Sequence, residues 1–168
     1  MVNSILIAME FNNLLDQNMI PAKTEMYEGF NHLNNIEGSV ENTKMHYIIR
    51  NHDKELFNKQ KQDFIDIQNK LNEKYPNKPV NVQIKDSYYN MYDIIKDHMD
   101  IVELAIKSTE EAGLKKIITP IRGGTDGATL TYKGLNTPNL GTGGFNFHGK
   151  YECVTLEGME KVVQIILN

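Results

Sequence analysis

The sequence predicts an α/β chain in two parts, and three observations carry that reading. Over the first half, segments with helical and strand periodicity follow the order helix, strand, strand, helix, strand. Over the second half a helix, a short apolar strand, glycine-rich loops and a closing helix suit an α/β layer. Hydrophobic residues make up 40% and charged residues 24% of the 168, an ordinary globular composition. The change of pattern places a boundary near residues 87–97, giving a first domain over 1–90 and a second over 91–168. A strand preceding residue 1 would complete a β-α-β-β-α-β unit of ferredoxin-like type, so the first part reads as such a unit lacking its first strand.

The first helix is expected within MVNSILIAMEFNNLLDQ, with Ile5, Met9, Leu6 and Leu14 on its apolar face and nothing ahead of it to serve as an N-cap. A helix opening at residue 1 suggests that preceding sequence has been lost. Turn residues fill 18–34. Two strands follow, near Gly38–Glu41 and Met45–Arg50, with Asn42-Thr43-Lys44 as their hairpin turn. Asp53 caps a long helix over Lys54–Lys74, whose core stripe is Leu56, Phe57, Phe64, Ile67 and Leu71, and Tyr75-Pro76-Asn77 stops it. Val80, Val82 and Ile84 alternate as a half-buried strand. In the second part a helix is expected at Asp100–Glu111, a strand at Ile117–Thr119 and a last helix at Leu156–Leu167.

Several functions are disfavoured. A net charge of −4 and the lack of a basic stripe give no reason to expect nucleic acid. No apolar run reaches the roughly 20 residues that cross a bilayer, and no secretory signal opens the chain. The single cysteine, Cys153, precludes an internal disulfide and fits a reducing, cytoplasmic setting, where it is expected as a small buried thiol.

Chemistry concentrates in Pro120–Glu152, which holds eight of the twelve glycines. Such density marks backbone that turns sharply or approaches a ligand closely. Around the glycines stand a guanidinium (Arg122), a carboxylate (Asp126) and an imidazole (His148). Arg122 offers a planar fork suited to a carboxylate ligand, beside Gly123 and Gly124; a structural ion pair explains it equally well. Asp126 reads as a helix cap. Flanking glycine lets a loop aim His148 at a metal, although a lone histidine is more often structural. Asn90 sits in a turn, where it could bond a substrate backbone or only its own. His46 shares a strand face with Ile48 and Arg50 and reads as a surface group, while His32, His52 and His98 have no ligand-like spacing.

The wording of these segments resembles the C-terminal part of the peptidase T family, tripeptide aminopeptidases among the two-zinc aminoacylase/carboxypeptidase-like metallopeptidases. PIRGGTDGA (Pro120 to Ala128), PNLGTGGFNFHGKYE (Pro138 to Glu152) and VTLEGMEK (Val154 to Lys161) carry the resemblance. The opening MVNSI, YEGFNHL (Tyr27 to Leu33), MHYIIRNHD (Met45 to Asp53) and DSYYNM (Asp86 to Met91) extend it in the same order over essentially the whole chain.

The resemblance implies that residues 1–90 form an N-terminally truncated lid, or dimerisation-type, domain. It implies that 91–168 form the C-terminal part of the zinc-binding catalytic domain. His148 then matches a zinc ligand, and Arg122, Gly123, Gly124 and Asn90 fall to substrate binding, with Arg122 receiving the peptide carboxylate. In the complete family enzyme two zinc ions acidify a bridging water that attacks the first peptide bond, and a glutamate shuttles the proton. The other ligands and that glutamate come from sequence before the lid, so no catalytic residue is expected here. The isolated chain is expected to be inactive, to bind no zinc tightly and to self-associate through the lid. A non-catalytic interaction module is the alternative.

Overall fold

The structure is a computed structural model that describes residues 2–168. The chain divides into two compact units. The first runs to Asp86 and also takes in Pro120–Arg122; the second comprises Ser87–Thr119 and Gly123–Asn168.

In the first unit, helix α1 spans Ser4–Leu14. It does have a cap: the side chain of Asn3 accepts from the Ile5 N–H at 2.9 Å, satisfying one of the orphan amides of the first turn. Its buried face is Ile7, Ala8, Phe11 and Leu15, while Leu6 and Met9 face solvent. That corrects the expected stripe, because Phe11 sets the face and the earlier aliphatics fall outside its arc.

Strands β1 (Phe30–Gly38) and β2 (Thr43–Arg50) form an antiparallel hairpin that pairs Phe30 with Arg50 and Gly38 with Thr43. The register shifts once, between Leu33 and Asn35. The first strand therefore starts well before the expected Gly38. Its Asn-rich wording disguised it, since its pairing with β2 rather than its own propensity makes it a strand. On β2 the alternation points Met45, Tyr47 and Ile49 at the helices and leaves His46 exposed on the other face.

Helix α2 spans Lys54–Lys74, and the Asp53 carboxylate accepts from Leu56 N–H at 2.8 Å. Phe64, Ile67 and Leu71 are buried, but Leu56 is 53% exposed. The core joins Ile7, Phe11 and Leu15 of α1 and its C-cap to Phe64, Ile67 and Leu71 of α2. Phe64 stands 5.8 Å from Phe11 and edge-on to Tyr47 at 5.1 Å, centroid to centroid. Burial pushes the Tyr47 phenol up to about 12; it stays protonated and donates to Asn12 Oδ1 at 2.9 Å.

A buried polar chain ties strand ends to helix: Asn51 Nδ2 donates to Gln60 Oε1 at 2.8 Å, and Gln60 Nε2 to Asn31 Oδ1 at 3.0 Å. Val80, Val82 and Ile84 are not a strand. Val80 exchanges two bonds of 2.8 Å with the Asn72 side chain, and Val82 N–H donates to Gln68 Oε1, so α2 side chains replace a sheet neighbour.

The second unit holds α3 (Tyr92–Ile95), α4 (Met99–Glu111), α5 (Asp126–Tyr132), a two-residue pairing of β3 (Gly144–Phe145) with β4 (Cys153–Val154), and α6 (Leu156–Leu167). Lys161 Nζ of α6 donates to the Ala112 carbonyl that ends α4, at 2.8 Å. Thr155, not singled out beforehand, caps α6 by accepting from Gly158 N–H at 3.1 Å. Ile117–Thr119 is not a strand, and Cys153 is exposed rather than buried.

Leu71 is 0% exposed, so Leu71→Ala is expected to cost about 2–5 kcal/mol through lost contacts and a cavity. Leu56→Ala should stay within about 0.5 kcal/mol. Urea unfolding of the two variants, followed by far-ultraviolet circular dichroism, checks this; equal losses would show that the α2 face is misassigned.

Candidate functional site

The candidate residues fall in different units, and each is described within its own. Arg122 belongs to the first. Its guanidinium is held by the loop around the short 3-10 turn Pro21–Lys23: Nη1 donates to the Thr24 carbonyl, and Nη2 donates to Thr24 Oγ1 at 2.7 Å and to the Glu28 carbonyl at 3.2 Å. It lies 4.8 Å over the Phe30 ring, a cation–π contact. Among the described residues none of these partners is a carboxylate, and Nε is buried without a partner. In place of the ion pair that was one of its two readings, Arg122 bonds neutral acceptors 94 and 98 residues away. Backbone carbonyls so remote leave no sequence signal.

His52 belongs to the same neighbourhood. It packs edge-on against Tyr27 at 5.2 Å. Burial first, and the nearby Arg122 charge second, lower its pKa from the ordinary 6.5.

In the second unit, Gly124 makes a close approach, though to protein: a Cβ there would lie 2.4 Å from the Tyr88 ring. Thr125, rather than Asp126, caps α5; its hydroxyl accepts from Ala128 N–H, and Asp126 is the first helical residue. Asn90 is exposed. Its Oδ1 accepts from Tyr92 N–H at 3.1 Å and its carbonyl from the Tyr132 hydroxyl at 3.1 Å, so much of its capacity goes to local structure.

His148 stands exposed in the turn after β3, with a left-handed φ of +63°. Its N–H donates to Glu152 Oε2 at 3.1 Å, which fixes the turn. The loop reaches this position over the start of α6, where a Cβ on Gly143 would meet Gly158 Cα at 3.1 Å. Two glycines at that crossing allow the contact. Among the described residues no three His, Cys, Asp or Glu side chains come together as a metal site. A structural zinc site needs about four ligands, so the groups of this chain do not by themselves fit one. Nor is any helix of the described residues long and apolar enough to cross a membrane.

The fold is similar to part of a solved tripeptidase structure. A crystal structure of a tripeptidase from Staphylococcus aureus subsp. aureus Mu50 superposes on 98% of this chain and 44% of its own, with a TM-score of 0.70 at 20% identity. No family model matches. By sequence, the chain is homologous to peptidase T along its whole length. It is 51% identical over 168 residues to peptidase T of Clostridium perfringens (strain SM101 / Type A). It is 50% identical over 167 residues to that of Caldanaerobacter subterraneus subsp. tengcongensis, and 43% identical to that of Staphylococcus saprophyticus. The chain spans 41% of the length of each of these relatives.

Because the folded state disfavours charged His52, the unfolded chain takes up more protons just below the ordinary pKa of about 6.5. Stability of the first unit should therefore fall as pH drops through that range, and His52→Gln should flatten the slope. Urea midpoints at about pH 7.5 and pH 5.5 measure it; an unchanged slope in the variant would remove His52 from the account.

Proposed function

We propose that this chain forms part of a cytoplasmic zinc tripeptide aminopeptidase, a hydrolase that releases the N-terminal residue of small peptides. The observation that carries the reading is whole-chain similarity to peptidase T at about half identity. Within that enzyme His148 serves as one metal ligand, its exposure on a fixed turn leaving the imidazole open to a metal held mostly by other groups. The remaining ligands and the acid/base come from outside this chain, which alone is inactive.

Arg122 is proposed to receive the peptide's C-terminal carboxylate. Its lack of a carboxylate partner supports this, because a partly buried guanidinium bonded only to neutral groups keeps its charge for an anion. Gly123 and Gly124 keep the adjoining backbone slim, and Asn90 has its side-chain amide for a substrate carbonyl. A second reading is favoured by the bonds to Thr24 and Glu28: Arg122 anchors the loop before β1 and touches no substrate. The broader alternative, a non-catalytic interaction module, draws on the absence of a metal-ligand cluster among the described residues.

The two readings of Arg122 separate in a full-length relative, the Clostridium perfringens enzyme. Replacing the arginine that matches Arg122 with alanine removes a charge-assisted contact of about 1.5–3 kcal/mol. That lowers kcat/KM for free tripeptides roughly ten- to hundredfold, while C-terminally amidated tripeptides lose much less. Anchoring alone would lower thermal stability and damage both substrate types equally. An unchanged acid-to-amide ratio rules out the carboxylate role.

A further inference from the structure

A guanidinium carries its N–H groups in a rigid plane with two edges where a pair of them points the same way. One edge is formed by Nη1 and Nη2, the other by Nε and Nη2, and the side chain's own Cδ blocks the third. A carboxylate gripped through both oxygens therefore always takes an N–H of Nη2. In Arg122 both N–H groups of Nη2 are spent, on Thr24 Oγ1 at 2.7 Å and on the Glu28 carbonyl at 3.2 Å. Nη1 donates to the Thr24 carbonyl, and Nε is buried with no partner. Neither edge is open to a ligand while these bonds hold. Thr24 itself presents two oxygens to the two Nη atoms, as a carboxylate would.

The segment that does this is lightly held. Thr24 is half-buried, and Glu25 to Glu28 are exposed. Apart from the bonds to Arg122, its hydrogen bonds stay within residues 20–28. Thr24 Oγ1 donates to the Ile20 carbonyl at 2.9 Å, Glu25 N–H to Glu28 Oε2 at 2.8 Å, and Glu28 N–H to the Glu25 carbonyl at 2.9 Å. Among the described residues, the other contact it makes is the Tyr27 ring against His52. Met26 adopts φ +46°, a left-handed backbone that a non-glycine residue holds only under strain. Exposed, locally bonded segments of this kind open at low cost.

We infer that Thr24 is an internal competitor for the peptide's C-terminal carboxylate: a free peptide acid takes Nη2 together with Nη1 or Nε, and the 24–28 segment lets go. The inference rests on the carboxylate role proposed above for Arg122. It joins the two readings of that residue, since Arg122 anchors the loop until a carboxylate displaces it. Thr24 then sets the affinity for free peptides, because part of the carboxylate's binding energy goes into releasing the loop.

The test uses full-length Clostridium perfringens peptidase T with valine at the position matching Thr24, which keeps the side chain's shape and removes the hydroxyl. The expected result is a KM for free tripeptides lowered about three- to tenfold. The KM for C-terminally amidated tripeptides should not change. A second measurement needs no variant. A tripeptide acid whose first peptide bond is reduced, and so cannot be cleaved, should speed amide exchange across the segment matching Thr24–Glu28 by roughly threefold or more. The corresponding amide, at equal occupancy, should not. A raised or unchanged KM for free tripeptides in the valine variant overturns the inference, as does an equal change for acid and amide, or exchange slowed by the acid. An alanine variant at the arginine that leaves the acid-to-amide ratio unchanged removes the carboxylate role and this inference with it. A lowered ratio there, beside an unaffected valine variant, overturns the inference alone.

Discussion

Phe64 is the residue on which the first unit closes. Its ring meets Phe11 of α1 and Tyr47 of β2 and so joins the three principal elements in one aromatic contact. Around it the aliphatics of α1 and α2 reach near-complete burial, and Leu71 is sealed off. Everything else in that unit is positioned by this packing: the hairpin is held by the inward face of β2, and the segment after α2 by Asn72 and Gln68 on the same helix. Arg122 then joins Pro120–Arg122 to the unit through the Thr24 loop. The second unit has no counterpart of Phe64. Helix α6 is capped by Thr155 yet buries none of its side chains fully, because local signals can form a helix where tertiary burial is lacking.

How far the fold was legible follows from which signals were local. Helices α2 and α6 lie where periodicity and breakers place them, since Asp53 and Thr155 supply caps within the sequence itself. The Asn3 cap is equally local, two residues before the amide it accepts from. Strand β1 was misplaced because Asn31, Asn34 and Asn35 are poor strand formers and only pairing with β2 recruits them. The alternation at Val80–Ile84 and the apolar run at Ile117–Thr119 predicted strands that the structure does not form. A strand, however, needs a neighbour, and among the described residues neither segment has one. The start of helix α5 was legible at Asp126, but its cap is the preceding Thr125, a residue with the same capping ability one position earlier.

For the site, the residue types were legible and their partners were not. The glycines of 141–149 do bring a loop close over the start of α6, and Gly124 does permit a close approach, with the Tyr88 ring rather than a ligand beside it. Arg122 is held without a carboxylate, and the loop that holds it is nearly a hundred residues away in sequence. Whole-chain similarity to peptidase T turns these separate features into a single proposal, in which the chain carries pieces of a shared site.

The central claim, that His148 is one ligand of a metal site completed by other groups, is tested most directly by calorimetric titration of the purified chain with zinc, beside His148→Ala. If the site is shared, binding is weak and sub-stoichiometric, and the variant behaves alike, because one imidazole stands where about four ligands are needed. Sub-micromolar, one-to-one binding that disappears in His148→Ala would contradict it, showing that this chain builds a complete metal site of its own.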